Sequence, residues 1–206
     1  MKNSEWGAVA YLTHSIYGRN KTAITVNNSS SYYTGYALNK NNGSSYPYDS
    51  PESQEASTTG NYTGIYDICG NSMEYVAAYI TNGNASLTTY GSSFVSTVAN
   101  TNPQIVSTAY ATAYPYNASE SELNNKTNFK NNYTGIRYGD AIIETGTMAS
   151  TQSSWFGQFS HFPYGSSPFF LRGGNNTNGG SGGSFCFVYQ SGANSISTGY
   201  RIVLIP

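Results

Sequence analysis

The chain has 206 residues and a formal net charge of −1, and only 9% of its residues are charged. Its 20 Tyr, 9 Phe and 2 Trp can still bury large apolar areas, so we expect one folded, loop-rich domain over residues 1–206 rather than a disordered chain. The sequence has no run of Lys or Arg and no long apolar segment, which argues against nucleic-acid binding and against a membrane span.

The first predicted element is a helix of about ten residues within residues 4–17, SEWGAVAYLTHSIY. Apolar residues recur from Trp6 to Leu12 at the three- to four-residue spacing of one helix face, and Ser4 is a suitable N-cap. Gly18 is expected to end the helix in the left-handed conformation.

Polar tracts and compact apolar segments alternate through the middle of the chain. Residues 20–60 predict long loops with short extended pieces at 23–26 and 32–37. Residues 64–76, GIYDICGNSMEYV, are an expected core element with an internal turn.

Residues 77–134 are again polar and rich in Tyr, and a short helix is expected at 120–129. Apolar residues return at 138–147 and 155–170, where two prolines interrupt any regular element.

Residues 172–206 combine a rigid frame with polar loops. The frame consists of RGG, a strand at 184–189, and a final strand at 200–205 that is apolar enough to be buried on both faces. Short polar side chains and Tyr offer adaptable hydrogen bonds and rigid aromatic area at low entropic cost, so this region is the candidate ligand-binding face. An ordinary solvated loop is the alternative. The residues expected to point outward are Asn175, Asn176, Thr177, Asn178, Ser181, Tyr189, Gln190, Ser191, Asn194, Ser195 and Ser197.

Arg172 and Arg201 stand out in a chain with only 9 basic residues. A guanidinium at the edge of a core needs partners, and Glu74 or Asp67 is the expected source. We therefore assign both arginines a structural role rather than contact with a ligand.

Cys69 and Cys186 form either one disulfide or two buried thiols. Cys186 alternates with Phe185 and Phe187 in an apolar strand, which favours a buried thiol over a catalytic pair with His161. No Ser, His and Asp pattern typical of a hydrolase is present, so the sequence does not support catalysis.

Three separated segments, SEWGAVAYL, GIYDICGNSMEYV and RGG followed by GYRIVL, together resemble the family of sulfatase-modifying factors and formylglycine-generating enzymes. The resemblance implies an α+β, C-type-lectin-like fold that is loop-rich, with small antiparallel sheets and about two helices. The family places a strand and a helix before the first of these segments, so the resemblance leaves open that residues 1–206 lack both.

The oxidative enzymes of this family carry two cysteines after the RGG, and at the matching positions this chain has Asn178 and Gly183. Without these thiols the copper-assisted reaction has neither ligands nor a nucleophile. The layout is instead similar to the variable proteins of diversity-generating retroelements and their relatives from gut bacteria and phages. This similarity implies a non-enzymatic, extracellular domain, exposed on a bacterial cell surface or a phage particle, that binds a protein or glycan ligand on a cell surface. A pilin-like or fibre subunit that assembles as a homo-oligomer is the first alternative, and a modifying-factor enzyme acting without the cysteines is the second.

Asp67, Asn71 and Glu74 supply clustered oxygen ligands of the kind that calcium prefers, and the family sometimes binds calcium near this motif. These three residues are the candidate metal site, and no other cofactor is expected. The EPN or QPD triplet and the WND motif of sugar-binding C-type lectins are absent, which argues against calcium-dependent sugar recognition.

Overall fold

The computed structural model describes residues 1–24, 46–96, 105–115, 139–146 and 154–203. The elements predicted at 32–37 and 120–129 lie outside these residues, and residues 23–24 of the other extended piece belong to no strand. The chain is a loop-rich α+β protein, as predicted, and the described residues contain three α-helices rather than about two.

Helix α1 (Asn3–His14) forms where the apolar spacing predicted it. Trp6 and Ala10 are completely buried on its inner face, and the Trp6 indole N–H donates a 2.8 Å hydrogen bond to the Ser184 carbonyl. The expected cap at Ser4 is wrong, because the helix begins at Asn3 and Lys2 occupies the N-cap position. The Lys2 backbone N–H donates instead to a Glu5 carboxylate oxygen at 2.8 Å, which satisfies one of the free donors of the first turn.

The end of α1 also differs from the prediction. Gly18 is not left-handed, whereas Asn20 and Lys21 are, with φ of 48° and 67°. A side chain at Gly18 would collide with the carbonyl oxygens of Leu12 and Thr13. The glycine is therefore required for close backbone approach rather than for its dihedral freedom.

The described strands form one mixed sheet, so the expectation of small antiparallel sheets is wrong for this part of the chain. Strand β1 is central, with β4 along one edge and with β3 and β6 sharing the other. Strands β3 and β6 run parallel to β1, while β2 lies antiparallel beside β3 and β5 antiparallel beside β4. The strands are β1 (Met73–Ile80), β2 (Val106–Ser107), β3 (Thr112–Tyr114), β4 (Phe169–Gly173), β5 (Gly183–Gln190) and β6 (Thr198–Tyr200).

The alternation of side chains along β1 divides the core between the two faces of the sheet. Val76 and Ile80 belong to the cluster that contains Trp6 of α1. Tyr79 belongs to a second cluster that contains Leu87, from a helix on the other face. This second face carries the candidate site described below.

Regular structure extends into both polar tracts, residues 20–60 and residues 77–134. Strand β1 continues to Ile80, helix α2 (Pro51–Gln54) is a single turn, and helix α3 (Ala85–Val95) follows β1. The Asn84 side chain caps α3 by accepting a 2.9 Å hydrogen bond from the Ser86 N–H. In the described ranges no helix has the length and apolar character needed to cross a bilayer.

The two predicted C-terminal strands have different outcomes. Strand β5 is confirmed, and its Phe185 and Phe187 rings are fully buried. The final strand is wrong as predicted: β6 has only three residues, Tyr200 is 76% exposed and Ile202 is 73% exposed. The described part of the chain places no second layer over these side chains, so they are not buried on both faces.

Candidate functional site

The structure divides the predicted polar residues between the two ends of β5. Residues 175–178 lie in the loop before the strand, and Tyr189 and Gln190 lie at its end. Eight residues of β-strand span about 26 Å. These two groups therefore cannot contact the same small ligand.

Several polar side chains of the loop before β5 hydrogen-bond to other residues of the same loop. The Asn178 side-chain oxygen accepts from the Asn175 N–H at 2.6 Å, and the Asn175 side-chain oxygen accepts from both the N–H and the hydroxyl of Thr177 at 3.0 and 2.7 Å. The Asn176 N–H donates to the Asn71 carbonyl at 3.3 Å. Ser181, expected to point outward, is only 7% exposed, and its carbonyl accepts a 2.9 Å hydrogen bond from the Phe159 N–H. The loop side chains thus hold a turn together.

The residues at the end of β5 are half-buried. The Tyr189 ring packs edge-on against Tyr164, with centroids 4.8 Å apart, and against His161 at 5.8 Å. The Gln190 side-chain oxygen accepts from the Ser191 N–H at 2.8 Å. Tyr189 is therefore part of an aromatic cluster rather than an isolated contact residue.

The best-displayed polar residues lie in residues 191–197, here called the crossover segment. It leaves β5 at the end of the sheet where Gln190 pairs with Phe169, and it enters β6 at the end where Met73 pairs with Thr198. The segment therefore crosses a face of the sheet. Its polar side chains Asn194, Ser195 and Ser197 are exposed.

The backbone of the crossover segment is anchored at three points. Gly192, with φ of 99°, lies so close to Tyr90 and Phe169 that a Cβ atom would sit 2.6 Å from the Tyr90 Cβ. The Tyr75 hydroxyl donates to the Ala193 carbonyl at 3.3 Å. At the far end, the Met73 N–H donates to the carbonyl of Ser197 at 3.2 Å. The exposed side chains between these anchors stand on a fixed backbone.

A cleft of about 310 Å³ lies beside the crossover segment, on the face of the sheet that carries α3. Its lining includes Tyr75, Tyr90, Phe94, Phe169 and Tyr200. The sequence analysis did not single out these residues. The only available signal was the richness in Tyr of the tract that follows β1, because the cleft joins side chains that are more than 100 positions apart in the sequence.

The candidate calcium site contains a guanidinium group. Arg201 Nε lies 2.8 Å from a Glu74 carboxylate oxygen, and another Arg201 nitrogen donates to the Asp67 carbonyl at 2.5 Å. Burial raises the pKa of Glu74, and Arg201 opposes that rise. Asn71 is exposed, whereas Glu74 is buried. Within the described ranges no three acidic, His or Cys side chains gather around a metal position, so Arg201 is the cation here, and its predicted pairing with Glu74 is confirmed.

Arg172 has a structural environment but not the predicted carboxylate partner. Its side chain is fully buried and donates to the carbonyls of Ala141 and Ser184 at 3.1 and 3.3 Å. The guanidinium carbon lies 5.8 and 5.7 Å from the ring centroids of Trp6 and Phe187. Burial lowers the pKa of Arg172 to about 10, which leaves it charged at neutral pH.

The two cysteines are free, buried thiols, so the structure selects this alternative over a disulfide. Burial raises the pKa of Cys186 to about 12 and that of Cys69 still further. Neither sulfur is a thiolate at neutral pH, and the thiol form is a poor nucleophile.

Comparison of the chain with protein-family models, with curated proteins and with solved structures finds no match. The α+β class therefore rests on the coordinates, and the likeness to a C-type-lectin-like family rests on the three sequence motifs.

Proposed function

We propose that this protein is a non-enzymatic ligand-binding module, of C-type-lectin-like type, that acts on the surface of a bacterium or a phage particle. The ligand is a protein or a glycan from a cell surface. The observation that carries the proposal is the crossover segment, whose exposed Asn194, Ser195 and Ser197 stand on a backbone fixed to the sheet.

A fixed backbone favours binding because little conformational entropy is lost when the ligand arrives. The anchors at Gly192, Ala193 and Ser197 supply that rigidity, and the exposed Asn194 amide supplies donors and an acceptor, while the Ser195 and Ser197 hydroxyls bond to each other at 2.9 Å. We therefore centre the proposed face on the crossover segment rather than on the loop before β5.

The side-chain chemistry gives little support to catalysis. The closest approach to a nucleophilic pair is His14 Nε2, which lies 2.9 Å from the Ser184 hydroxyl. Ser184 is only 2% exposed, and the other ring nitrogen of His14 is buried without a hydrogen-bond partner in the described residues. Burial lowers the pKa of His14 to about 4, which makes it a weak general base. We therefore favour binding over hydrolysis.

The test is a combined glycan and protein array probed with the wild-type chain and with the double variant Asn194→Ala, Ser195→Ala. We expect a specific signal for the wild type and about a tenfold loss of affinity for the variant. The control is Glu52→Ala on α2, whose exposed side chain lies outside the crossover segment. An unchanged melting temperature shows that the double variant is folded. Absence of any wild-type ligand, or equal binding by the double variant, argues against this function.

One observation favours a second candidate, a subunit that assembles with copies of itself. Ile196, Tyr200 and Ile202 are three large apolar side chains exposed within seven residues in and around the short strand β6. Exposed apolar side chains on a strand favour pairing with another chain. Sedimentation velocity over a hundredfold range of concentration tests this: concentration-dependent assembly that Ile202→Asp abolishes supports the subunit, and a constant monomer excludes it.

A further inference from the structure

The aromatic cleft beside the crossover segment has the features of a small ligand site. Its floor includes Phe169, which is buried, and Phe94, whose ring centroid lies 5.7 Å from that of Phe169. Tyr90 of α3 and Tyr200 of β6 line the same cleft and are 52% and 76% exposed. The volume of about 310 Å³ is at the lower end of ligand pockets, which suits a single ring-sized group.

The cleft offers hydroxyls and ring faces beside two cationic groups. The Arg201 guanidinium in its lining is paired with Glu74, and the α-ammonium of Met1, which also lines the cleft, donates to the Arg201 carbonyl at 2.7 Å. Among the residues that the structure describes, the hydroxyls of Tyr90 and Tyr200 make no hydrogen bond. These two phenols can therefore donate to and accept from a ligand.

Polar side chains lie close to the mouth of the cleft. Gly192 is part of the lining, and a chain advances at most about 3.6 Å per residue, so Ser191 and Asn194 lie within a few ångströms of it. The Asn194 amide can supply further donors and an acceptor, whereas the Ser191 hydroxyl donates to the Gln190 side-chain oxygen at 3.3 Å and accepts from the Ala193 N–H at 3.4 Å. The site thus combines aromatic faces with phenol hydroxyls and a nearby amide.

We propose that this cleft binds one ring of a saccharide, stacked on Tyr90 or Tyr200, an inference that rests on the proposed binding function. A pyranose ring has apolar C–H faces that pack on aromatic rings and a periphery of hydroxyls that both donate and accept. That combination matches the aromatic faces, the phenol hydroxyls and the nearby amide.

A proline-rich peptide is the other ligand that aromatic grooves commonly bind. Such a peptide offers carbonyl acceptors and few donors, because proline has no N–H. The hydroxyl oxygens of Tyr90 and Tyr200 and the side-chain oxygen of Asn194 would accept few hydrogen bonds from it. Donor and acceptor matching therefore favours the saccharide.

The experiment is a titration of the full chain, labelled with 15N, with glucose, galactose, mannose and N-acetylglucosamine, followed by amide chemical shifts. We expect at least one sugar to shift the amides of Gly192 and Tyr200 with a dissociation constant on the order of 1 mM. Tyr200→Ala should weaken that binding about tenfold, whereas Tyr200→Phe, which keeps the ring, should weaken it less than about threefold. Tyr62→Ala is the matched control, since Tyr62 is 60% exposed, between Tyr90 and Tyr200, but lies outside the cleft, and it should bind like the wild type.

Each other outcome overturns the proposal. Shifts from a proline-rich peptide but from no sugar would assign the cleft to a different ligand class and leave the binding function standing. Sugar binding that is unaffected by Tyr200→Ala and Tyr90→Ala would place the sugar elsewhere. Array binding that requires Asn194 and Ser195 but tolerates both tyrosine variants would support the proposed function and contradict this inference, so the two can fail separately.

Discussion

Replacement of His14 by Phe should make the stability of this protein less sensitive to mild acid. The His14 ring stacks on Phe156, with centroids 4.3 Å apart and planes inclined by 23°, and lies 4.9 Å from the Phe185 centroid. One ring nitrogen bonds to Ser184, and the other is buried without a partner in the described residues. Protonation would place a charged N–H where no acceptor lies among the described residues.

The direction and size of the effect follow from the pKa. Burial is the main reason that the pKa of His14 falls from 6.5 to about 4, and the positive charge of Arg19 adds to it. A group whose pKa is lower in the folded state stabilises fully above pH 6.5 and loses that contribution as the pH falls toward the folded value. Between pH 7.5 and 4.5 the full loss would be about 2.5 kcal/mol. Because the ring is only half-buried, we expect about 1–1.5 kcal/mol.

The assay is urea unfolding of the wild type and His14→Phe at pH 7.5 and 4.5. Phe keeps the stacking but cannot be protonated, so the free energy of unfolding of the wild type should fall by about 1–1.5 kcal/mol more than that of the variant. Carboxylates that titrate in this range affect both proteins alike and cancel in the difference. An equal fall in the two proteins would refute the environment assigned to His14. An NMR titration of the ring protons, with a midpoint near pH 4, is an independent check.

Two further predictions concern the frame of the site. Gly173→Ala should lower the free energy of unfolding by about 2–4 kcal/mol in urea, because φ is 87° and the new Cβ would lie 2.6 Å from the Ile68 carbonyl oxygen. Gly180→Ala, with no atom within 4 Å of its Cβ, should change it by less than about 0.5 kcal/mol, and similar losses in the two variants would contradict this reasoning. Cys69 and Cys186 should resist a thiol reagent at pH 8 until the chain is unfolded, because burial raises the pKa of both; rapid labelling of the folded protein would show that they are accessible.

Helix α1 and strand β5 could be predicted because their burial follows a local pattern. Trp6 and Ala10 are four positions apart and are both fully buried, as one face of a helix requires. Phe185, Cys186 and Phe187 are consecutive apolar residues and are all fully buried, as expected for a strand covered on both faces. In both elements the spacing of apolar residues contains most of the information.

Helix α3 could not be predicted in the same way. Its sequence, ASLTTYGSSFV, is rich in residues with modest helix propensity, and only Leu87 and Gly91 are buried. The Asn84 cap and the close packing of Gly91 against Phe169 hold it in place. Because Phe169 is distant in sequence, this packing is a property of the tertiary structure.

The candidate site shows the same limit. Asn175, Asn178 and Asn194 have identical side chains, yet the side-chain oxygens of the first two stabilise a turn while Asn194 is exposed. Composition predicts that such residues are polar and near the surface. It does not distinguish a side chain that bonds to its own loop from one that is available to a ligand.

The sequence by itself determined the first helix, the strand β5 and the ion pair that Arg201 makes with Glu74, because each depends on local periodicity or on the cost of an uncompensated charge. Only the tertiary structure decided that one mixed sheet forms, that the last strand is exposed, and that Tyr90 and Tyr200 line one cleft. Those features depend on which distant segments pack together, and the free energy of that packing is shared among residues that no local pattern connects.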